Sequence, residues 1–539
     1  MFNGLMQDWP LTIKHFLDRA RLLHTRKTIV TKTVTGMHRE TFGEFGDRVE
    51  RLAAALARLG VKPGDRVATM AWNSWRHLEI YFAAPCMGAV LHTVNFRLFP
   101  EQVAFIFNHA EDQVVFVDAS LWPLFEKLRP HLKSLKHVIL MPDVPVPTLP
   151  PGVIEYEALL RDAPASFAWP KLEENQAAGM CYTSGTTGNP KGVVYSHRAI
   201  VLHSIVQAQA DLLAVAERDV CLSIVPMFHV NAWGLPYTGA MIGATQVYPS
   251  HFMTPKDLLQ LIESERVTFI GGVPTIIGAM YQTLLQEKFD VSSLRGIAVG
   301  GAALPQSLMV GFERDFGVRL IHAWGMTETT PVGTVSNLKS TMDGLSPGEQ
   351  LAYRLKQGLP APLVEVRVVD DAGQVLPWDG KSAGELQVRG PWIAGQYYND
   401  SRNDESFMDG WFRTGDVANI DPEGYVQLVD RTKDMVKSGG EWISSVDLEN
   451  AIMGHPKVAE AAVIAVAHPK WTERPLACVV RKDESLTKEE VLVFLKGKVA
   501  DWWLPDDVVF IEAVPKTSVG KFDKKVLRQR FLDYRLPTA

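Results

Sequence analysis

Cysteine is scarce in this chain, and charge of either sign is nearly balanced. Cys86, Cys181, Cys221 and Cys478 are its only cysteines in 539 residues, and no two form a CxxC pair. Such spacing fits neither a clustered zinc site nor a disulfide framework, and it suits a reducing compartment. A formal net charge of −6 is small for this length and argues against a protein that coats nucleic acid. The N-terminus lacks a charged segment followed by an apolar core, and the closing RLPTA is no peroxisomal address. A cytoplasmic protein is therefore expected. The long uncharged stretch from Val220 to Pro255 carries Pro226, His229, Asn231 and Pro236, which would leave polar groups unmet in lipid. Buried strands with a loop between them are expected there, and stable membrane insertion is not.

What is present is an ordinary globular balance, 46% apolar and 22% charged residues, at a length that calls for at least two domains. From about residue 45 to 310, helical patterns alternate with short apolar runs. FGEFGDRVERLAAALARLG reads as an amphipathic helix stopped by Gly60, and DRVATMAW as a strand. VTFIGGVP, RGIAVGGA and VRLIHAWG read as further strands, with helices between them. This α/β alternation predicts right-handed crossovers and mostly parallel sheets flanked by helices. After about residue 358 the pattern changes. PLVEVRVVDDAGQVLP and GELQVRGPWI alternate apolar and polar residues about Asp371-Ala372-Gly373, which predicts antiparallel hairpins. Beyond GYVQLVDRTKD a smaller α+β pattern begins, with VDLENAIMGHP and KEEVLVFLKGKVADW as helices. The division expected is a large domain over residues 1–429 and a small one over 430–539.

The segment TSGTTGNPKG joins three glycines, four hydroxyl residues and a lysine. Backbone N–H groups must converge to hold a phosphate, and glycine permits that close approach. Thr183, Ser184, Gly185, Thr186, Thr187, Gly188 and Lys191 supply backbone donors, hydroxyls and a point charge in order. A flexible linker would have a similar composition, but the flanks AAGMCY and GVVYSH read as paired strands turning back at this loop. The spacing is not that of a Walker A loop, because position 190, where glycine is needed, is Pro190. Glu328, in HAWGMTETTP, is one carboxylate among hydroxyls at a strand end, where open α/β sheets bind ligands. An oxygen ligand for Mg²⁺ beside ATP phosphates is chemically sensible there. VGGAALP offers flat glycine backbone for a purine face, and Asp416 in GWFRTGDVA is a candidate acceptor for ribose hydroxyls.

Taken in sequence order, YTSGTTGNPKG, GMTET, WFRTGD, DRTKDMVKSGGEWIS and PKTSVGK resemble the motifs of the adenylate-forming superfamily over nearly the whole chain. That superfamily includes acyl-CoA synthetases, peptide-synthetase adenylation domains and firefly-type luciferases. The resemblance implies a large domain with a β-barrel-like subdomain, and a small mobile C-terminal domain swinging about a hinge at Asp430. It also implies two half-reactions: a carboxylate attacks the α-phosphorus of Mg·ATP, and a thiolate then displaces AMP from the acyl adenylate. Thr183 to Gly188 and Lys191 would hold the β- and γ-phosphates, Thr186 and Glu328 the Mg²⁺, and Thr327 the α-phosphate. Gly301, Ala302, Ala303, Trp324, Gly325 and Met326 would frame the adenine, and Asp416 and Arg431 the ribose, with Lys433 and Lys437 nearby. The family usually has Tyr where this chain has Trp324, which keeps a stacking face and loses a hydroxyl. Lys521 matches the catalytic lysine that bridges carboxylate and α-phosphate. Lys437, Gly439, Gly440, Glu441 and Trp442 would line the CoA tunnel, although Gly439-Gly440 also reads as an ordinary tight turn.

Peptide-synthetase adenylation domains hold an amino acid's ammonium with an early aspartate. The equivalent VPMFHVNAWG has no acid, and an unpaired buried ammonium is costly, so an amino acid is disfavoured. His229, Val230, Trp233 and Pro331 would line the acyl pocket. His229 reads either as a gate or as a core histidine, and Trp233 matches the tryptophan that gates the acyl tunnel in bacterial long-chain acyl-CoA synthetases. YSHRAIVLHS, PMFHVNAWGLPY and KSGGEWISSVDLENAIMGHPKV are similar to bacterial fatty-acyl-CoA synthetases and to 3-methylmercaptopropionate-CoA ligases. The bulk of Trp233, Trp324 and Met326 favours a short or medium unbranched acid, 3-methylmercaptopropionate included, over a C16 chain, with a medium- or long-chain fatty acid as the alternative. A luciferase-like oxygenase is the expectation from another class. Relatives in this superfamily make a homodimer plausible.

Overall fold

The computed structural model describes residues 4–183, 189–431, 434–438, 441–517 and 520–539, with backbone alone at 441 and 442. Its larger part holds two sheets. A seven-stranded sheet is parallel except for its last pair, the strands Ala177–Tyr182 and Gly192–Ser196. A nine-stranded sheet has a parallel centre that includes Val220–Ser223, Phe269–Gly272, Gly296–Val299 and Leu320–Gly325. Val332–Val335 then adds antiparallel to Leu320–Gly325, with an irregularity at Trp324/Gly325. Because the parallel strands are buried on both faces, they are continuous apolar runs: Leu222, Ile270, Ile297 and Leu320 are each at most 1% exposed.

The flanking helices follow from local chemistry. Phe42–Arg58 opens on a capping box in which Thr41 and Glu44 satisfy each other's backbone N–H. Phe42, Phe45, Val49, Leu52 and Leu56 then recur on one face and are fully buried. Between Val220–Ser223 and Thr245–Tyr248 the chain forms a helix, Leu235–Ile242, where a loop is expected. Pro236 in its first turn has the φ a helix needs, and Gly243 ends it in the left-handed region.

Glu365–Val369, Gly384–Arg389, Phe407–Met408, Trp411–Ile420 and Val426–Arg431 form an antiparallel sheet. Glu365–Val369 pairs along its length with Gly384–Arg389, and only one bridge, Val369 to Val375, closes over the Asp371-Ala372-Gly373 turn. The C-terminal domain packs the helix Ser445–Met453 against the long hairpin Val458–His468 and Thr472–Arg481, and Asp507–Phe510 runs parallel beside the latter. The second expected helix there stops at Leu495, short of Gly497 at φ 74°. All four cysteines are buried and unpaired. Among the described residues, no helix is long and apolar enough to cross a membrane.

Candidate functional site

A cavity of about 540 Å³ lies just beyond the C-terminal ends of four parallel strands of the nine-stranded sheet, lined there by Pro226, Gly272, Gly300 and Gly325. Ligands of open α/β sheets bind at this edge because strands end there and loops begin. Gly415 and Arg431 reach it from the antiparallel sheet, Tyr397 from the loop between two of that sheet's strands, and Lys521 from the C-terminal domain.

One wall begins at a hairpin neck. Tyr182 pairs with Gly192, and the next rung is closed by Thr183 N–H donating to the Lys191 carbonyl at 2.9 Å. Lys191 N–H donates back to Thr183 Oγ1 at 3.3 Å. Both neck residues line the cavity. Ser184, Gly185, Thr186, Thr187 and Gly188 lie outside the described residues.

Glu328 sits in the tight turn Thr327–Thr329 that follows Leu320–Gly325, and is 5% exposed. Tyr195 O–H donates to the Thr327 carbonyl at 2.8 Å, and Ala394 N–H to the Glu328 carbonyl at 2.8 Å, so the turn is pinned from two sides. Burial pushes the Glu328 carboxyl upward, while Tyr397 O–H, donating to Oε1 at 2.7 Å, and the Lys191 and Arg431 cations oppose that shift. Lys191 Nζ rests 4.3 Å from the centre of the Tyr397 ring. Among the described residues, no three His, Cys, Asp or Glu side chains converge on one point. A single buried carboxylate with one oxygen held by Tyr397 fits Mg²⁺, which dehydrates reluctantly and takes most ligands from substrate phosphates and water.

Lys521 is brought in by a segment that docks on the strand ends: the Gly520 carbonyl accepts from Thr275 Oγ1 at 3.2 Å. A Cβ on Gly301 would lie 3.0 Å from Lys521 Cε and 3.6 Å from Nζ, so only glycine leaves this approach open. Burial, reinforced by the Arg431 cation, lowers the Lys521 ammonium to about 8. Trp324 lies flat over Gly333 and donates from Nε1 to Asp416 Oδ2 at 2.9 Å. Arg431 meets Asp416 Oδ1 at 3.2 Å, and the carboxylate is 3% exposed. The tryptophan thus offers Asp416 a donor from its indole ring.

The other end of the cavity is apolar, walled by Leu213, Ile224, Val225, Val230, Ile276 and Pro331 among others. Val230, Asn231, Ala232 and Trp233 are consecutive left-handed residues, a conformation costing roughly 1–2 kcal/mol each. His229 lines the cavity, and burial together with the Lys521 cation lowers its imidazolium to about 3, so the ring is neutral.

Thr183, Lys191, Gly301, Trp324, Gly325, Met326, Thr327, Glu328, Arg431, Lys521, His229, Val230, Trp233 and Pro331 therefore share one cavity, and Asp416 joins it through Trp324 and Arg431. Ala302 and Ala303 do not line it; the chain turns outward after Gly301, and Ala302 is exposed. Lys437 also stands outside it, exposed on the strand Val436–Ser438. Lys433, Gly439 and Gly440 fall outside the described residues, as do the side chains of Glu441 and Trp442. Sequence reading missed Tyr195, Gln207 and Tyr397, all of which touch the site. None stands in a motif with a chemical signature, and Tyr397 meets Glu328 across 69 residues of chain.

Comparison with known proteins agrees with this geometry. Residues 18–398 match the family model described as AMP-binding enzyme, and residues 447–521 that of the AMP-binding enzyme C-terminal domain. The chain is 49% identical over 537 residues to a long-chain-fatty-acid–CoA ligase of Thermus thermophilus, covering 99% of this chain and 98% of that protein. It is 45% identical over 534 residues to a 3-methylmercaptopropionyl-CoA ligase of Ruegeria lacuscaerulensis, covering 98% and 99%. The crystal structure of the anthranilate CoA ligase AuaEII with anthranoyl-AMP superposes with a TM-score of 0.87 at 26% identity, covering 97% of this chain and 99% of that one.

Proposed function

The chain belongs to the AMP-binding enzyme family and is an acyl-CoA synthetase, and from that premise we propose that its acid is short or medium and unbranched, with 3-methylmercaptopropionate the best single choice. One observation carries this reading. A single cavity of about 540 Å³ contains both the residues that would hold ATP and the apolar wall, and the rings of Trp233 and Trp324 occupy part of its lining. Among the described residues, the lining segment about His229, from Ile224 to Trp233, carries no carboxylate to pair an ammonium, and the wall is built of aliphatic side chains that suit an alkyl or thioether tail.

In this reading ATP lies with its phosphates toward the Thr183–Lys191 neck and its ribose toward Asp416. Little covalent work falls on the protein, so positioning and charge stabilisation dominate. Lys521, as the ammonium, holds the substrate carboxylate against the α-phosphorus and stabilises charge gathering on the phosphoryl oxygens. Thr327 steadies the same phosphate, and Trp324 and Arg431 fix Asp416 as the ribose acceptor. Glu328 and Thr186 would hold Mg²⁺, which when bound draws charge off the phosphates. The neutral His229 adds no cation to compete with Lys521 for the carboxylate. For the second half-reaction we place the hinge at Asp430, between residues 1–429 and 430–539, and the pantetheine path along Lys437 to Trp442. Asp430 is buried and accepts from Ser445 N–H at 2.7 Å, which ties the hinge strand to the first helix of the C-terminal domain.

A medium- or long-chain fatty acid is the second reading, favoured by the 49% identity to the Thermus thermophilus ligase. The test is kcat/KM for 3-methylmercaptopropionate, butyrate, octanoate and palmitate, read as AMP and pyrophosphate release with and without CoA. A maximum among the three shorter acids is expected. A maximum at palmitate overturns the short-acid reading.

A further inference from the structure

The acyl end of the cavity is bounded by backbone in a conformation that L-residues avoid. Val230, Asn231, Ala232 and Trp233 have φ of 41°, 56°, 49° and 57° in succession. Cβ crowds the next carbonyl in this region, so such a run persists only where its surroundings hold it. One side chain is placed to do so. Gln207, the last residue of the helix His197–Gln207, has no exposed surface. Its Nε2 donates to the Trp233 carbonyl at 2.7 Å, and its Oε1 accepts from Thr238 Oγ1 at 2.6 Å. It therefore clamps the end of the turn to the helix Leu235–Ile242, which begins two residues later.

The clamped turn aims the Trp233 ring across bare backbone. A Cβ on Gly271 would lie 3.3 Å from that ring, and one on Gly300 3.5 Å from it. Gly271 and Gly300 belong to adjacent strand ends, and Gly300, Trp233, Gln207 and Leu213 all line the cavity. The position of one indole on this floor thus depends on a turn whose carbonyl end is held by one amide. Without the amide donor the Trp233 carbonyl becomes a buried acceptor with that bond unmade, and the Trp233 end of the turn is no longer tied. Ala232 N–H, donating to the His229 carbonyl at 3.2 Å, and Cys181 Sγ, donating to Asn231 Oδ1 at 3.8 Å, hold its start.

Resting on the acyl-pocket reading above, we propose that Gln207 is a positioning residue that sets the depth of the acyl pocket, by locking the left-handed turn that holds Trp233 over Gly271 and Gly300. It touches no reacting atom. It acts through Trp233, and its loss lets the turn relax, moves the ring off the glycine floor and admits longer acids.

The test compares wild type, Gln207→Leu, Gln207→Met, Trp233→Ala and the double variant Gln207→Leu/Trp233→Ala, using kcat/KM for butyrate, octanoate and palmitate. KM for ATP and the thermal midpoint are recorded for each. Gln207→Met keeps the length of the side chain and has no donor to offer the Trp233 carbonyl, so it carries the test if the leucine variant does not fold. Either Gln207 variant is expected to raise the palmitate-to-butyrate ratio roughly tenfold or more over wild type, with KM for ATP unchanged. The double variant is expected to match Trp233→Ala alone, because a residue acting through Trp233 has nothing left to position. A folded Gln207→Met with the wild-type ratio overturns the proposal, and so does a double variant whose shift is the product of the two single ones. The ratio is read relative to wild type. If wild type prefers palmitate, the short-acid reading fails while the shift still decides the role of Gln207.

Discussion

The two ends of the cavity are built by different physics. At the end proposed for the nucleotide, beside a buried Lys521 that passes over Gly301, side chains meet in charge-assisted pairs: Tyr397 with Glu328, and Trp324 and Arg431 with Asp416. Each geometry there is fixed by a donor, an acceptor and a distance, and the fixed donors and cations suit the constant part of the reaction. At the end proposed for the acid there are no ion pairs among the described lining residues. Aliphatic side chains, a left-handed turn and an indole over glycine backbone set shape alone. Shape discriminates by methylenes, which are worth about 1–3 kcal/mol each in a hydrophobic pocket, so this end can vary while the other is held.

If that contrast is right, the largest loss follows from changing the nucleotide end. Lys521→Ala is expected to lower acyl-adenylate formation at least roughly 10²–10³-fold, the cost of removing one charge-stabilising donor. Thioester formation from supplied acyl-AMP should be spared, and equal losses in both half-reactions would refute the assignment. Next in size is the pH response of the same residue. Burial brings its ammonium to about 8, and only the protonated form can hold two anions. Adenylation kcat/KM should therefore fall as pH rises through about 8, approaching tenfold per unit beyond it. A profile flat to pH 10 would contradict this, and Lys521→Arg, which stays charged, should shift the fall upward. The smallest effect sharpens the comparison. Trp324→Phe keeps a ring over Gly333 and removes the N–H donor to Asp416, leaving Arg431 as its partner. A rise of ~5-fold in KM for ATP, about 1 kcal/mol, is expected with the acid preference unmoved.

The same contrast explains what could be read from sequence. The strand–loop–strand at TSGTTGNPKG was legible because the flanking apolar runs are short and the glycines cluster, and the hairpin neck at Thr183 and Lys191 is where that pattern put it. Glu328 was legible as a lone carboxylate among hydroxyls at a strand end, and Lys521 only through the resemblance of PKTSVGK to the superfamily's motif. Tyr397 and Gln207 were not, since each reaches its partner only through tertiary packing, over 69 and 26 residues. The helix Leu235–Ile242 was missed because Pro236, with Pro226, His229 and Asn231, argues against a helix across the stretch, whereas Pro236 starts a short one and Gly234 and Gly243 cap it in the left-handed region. No local signal marks the turn at Val230–Trp233, because Val, Ala and Trp are residues that disfavour positive φ.

Separability of the two ends is measured most directly in Trp233→Ala, by recording KM for ATP and the kcat/KM profile over butyrate, octanoate and palmitate on the same preparation. The profile should move roughly tenfold or more toward the longer acids while KM for ATP stays within about twofold of wild type. A rise in KM for ATP that parallels the change in acid profile, or a profile that does not move, would show that the cavity is one coupled site and contradict the account.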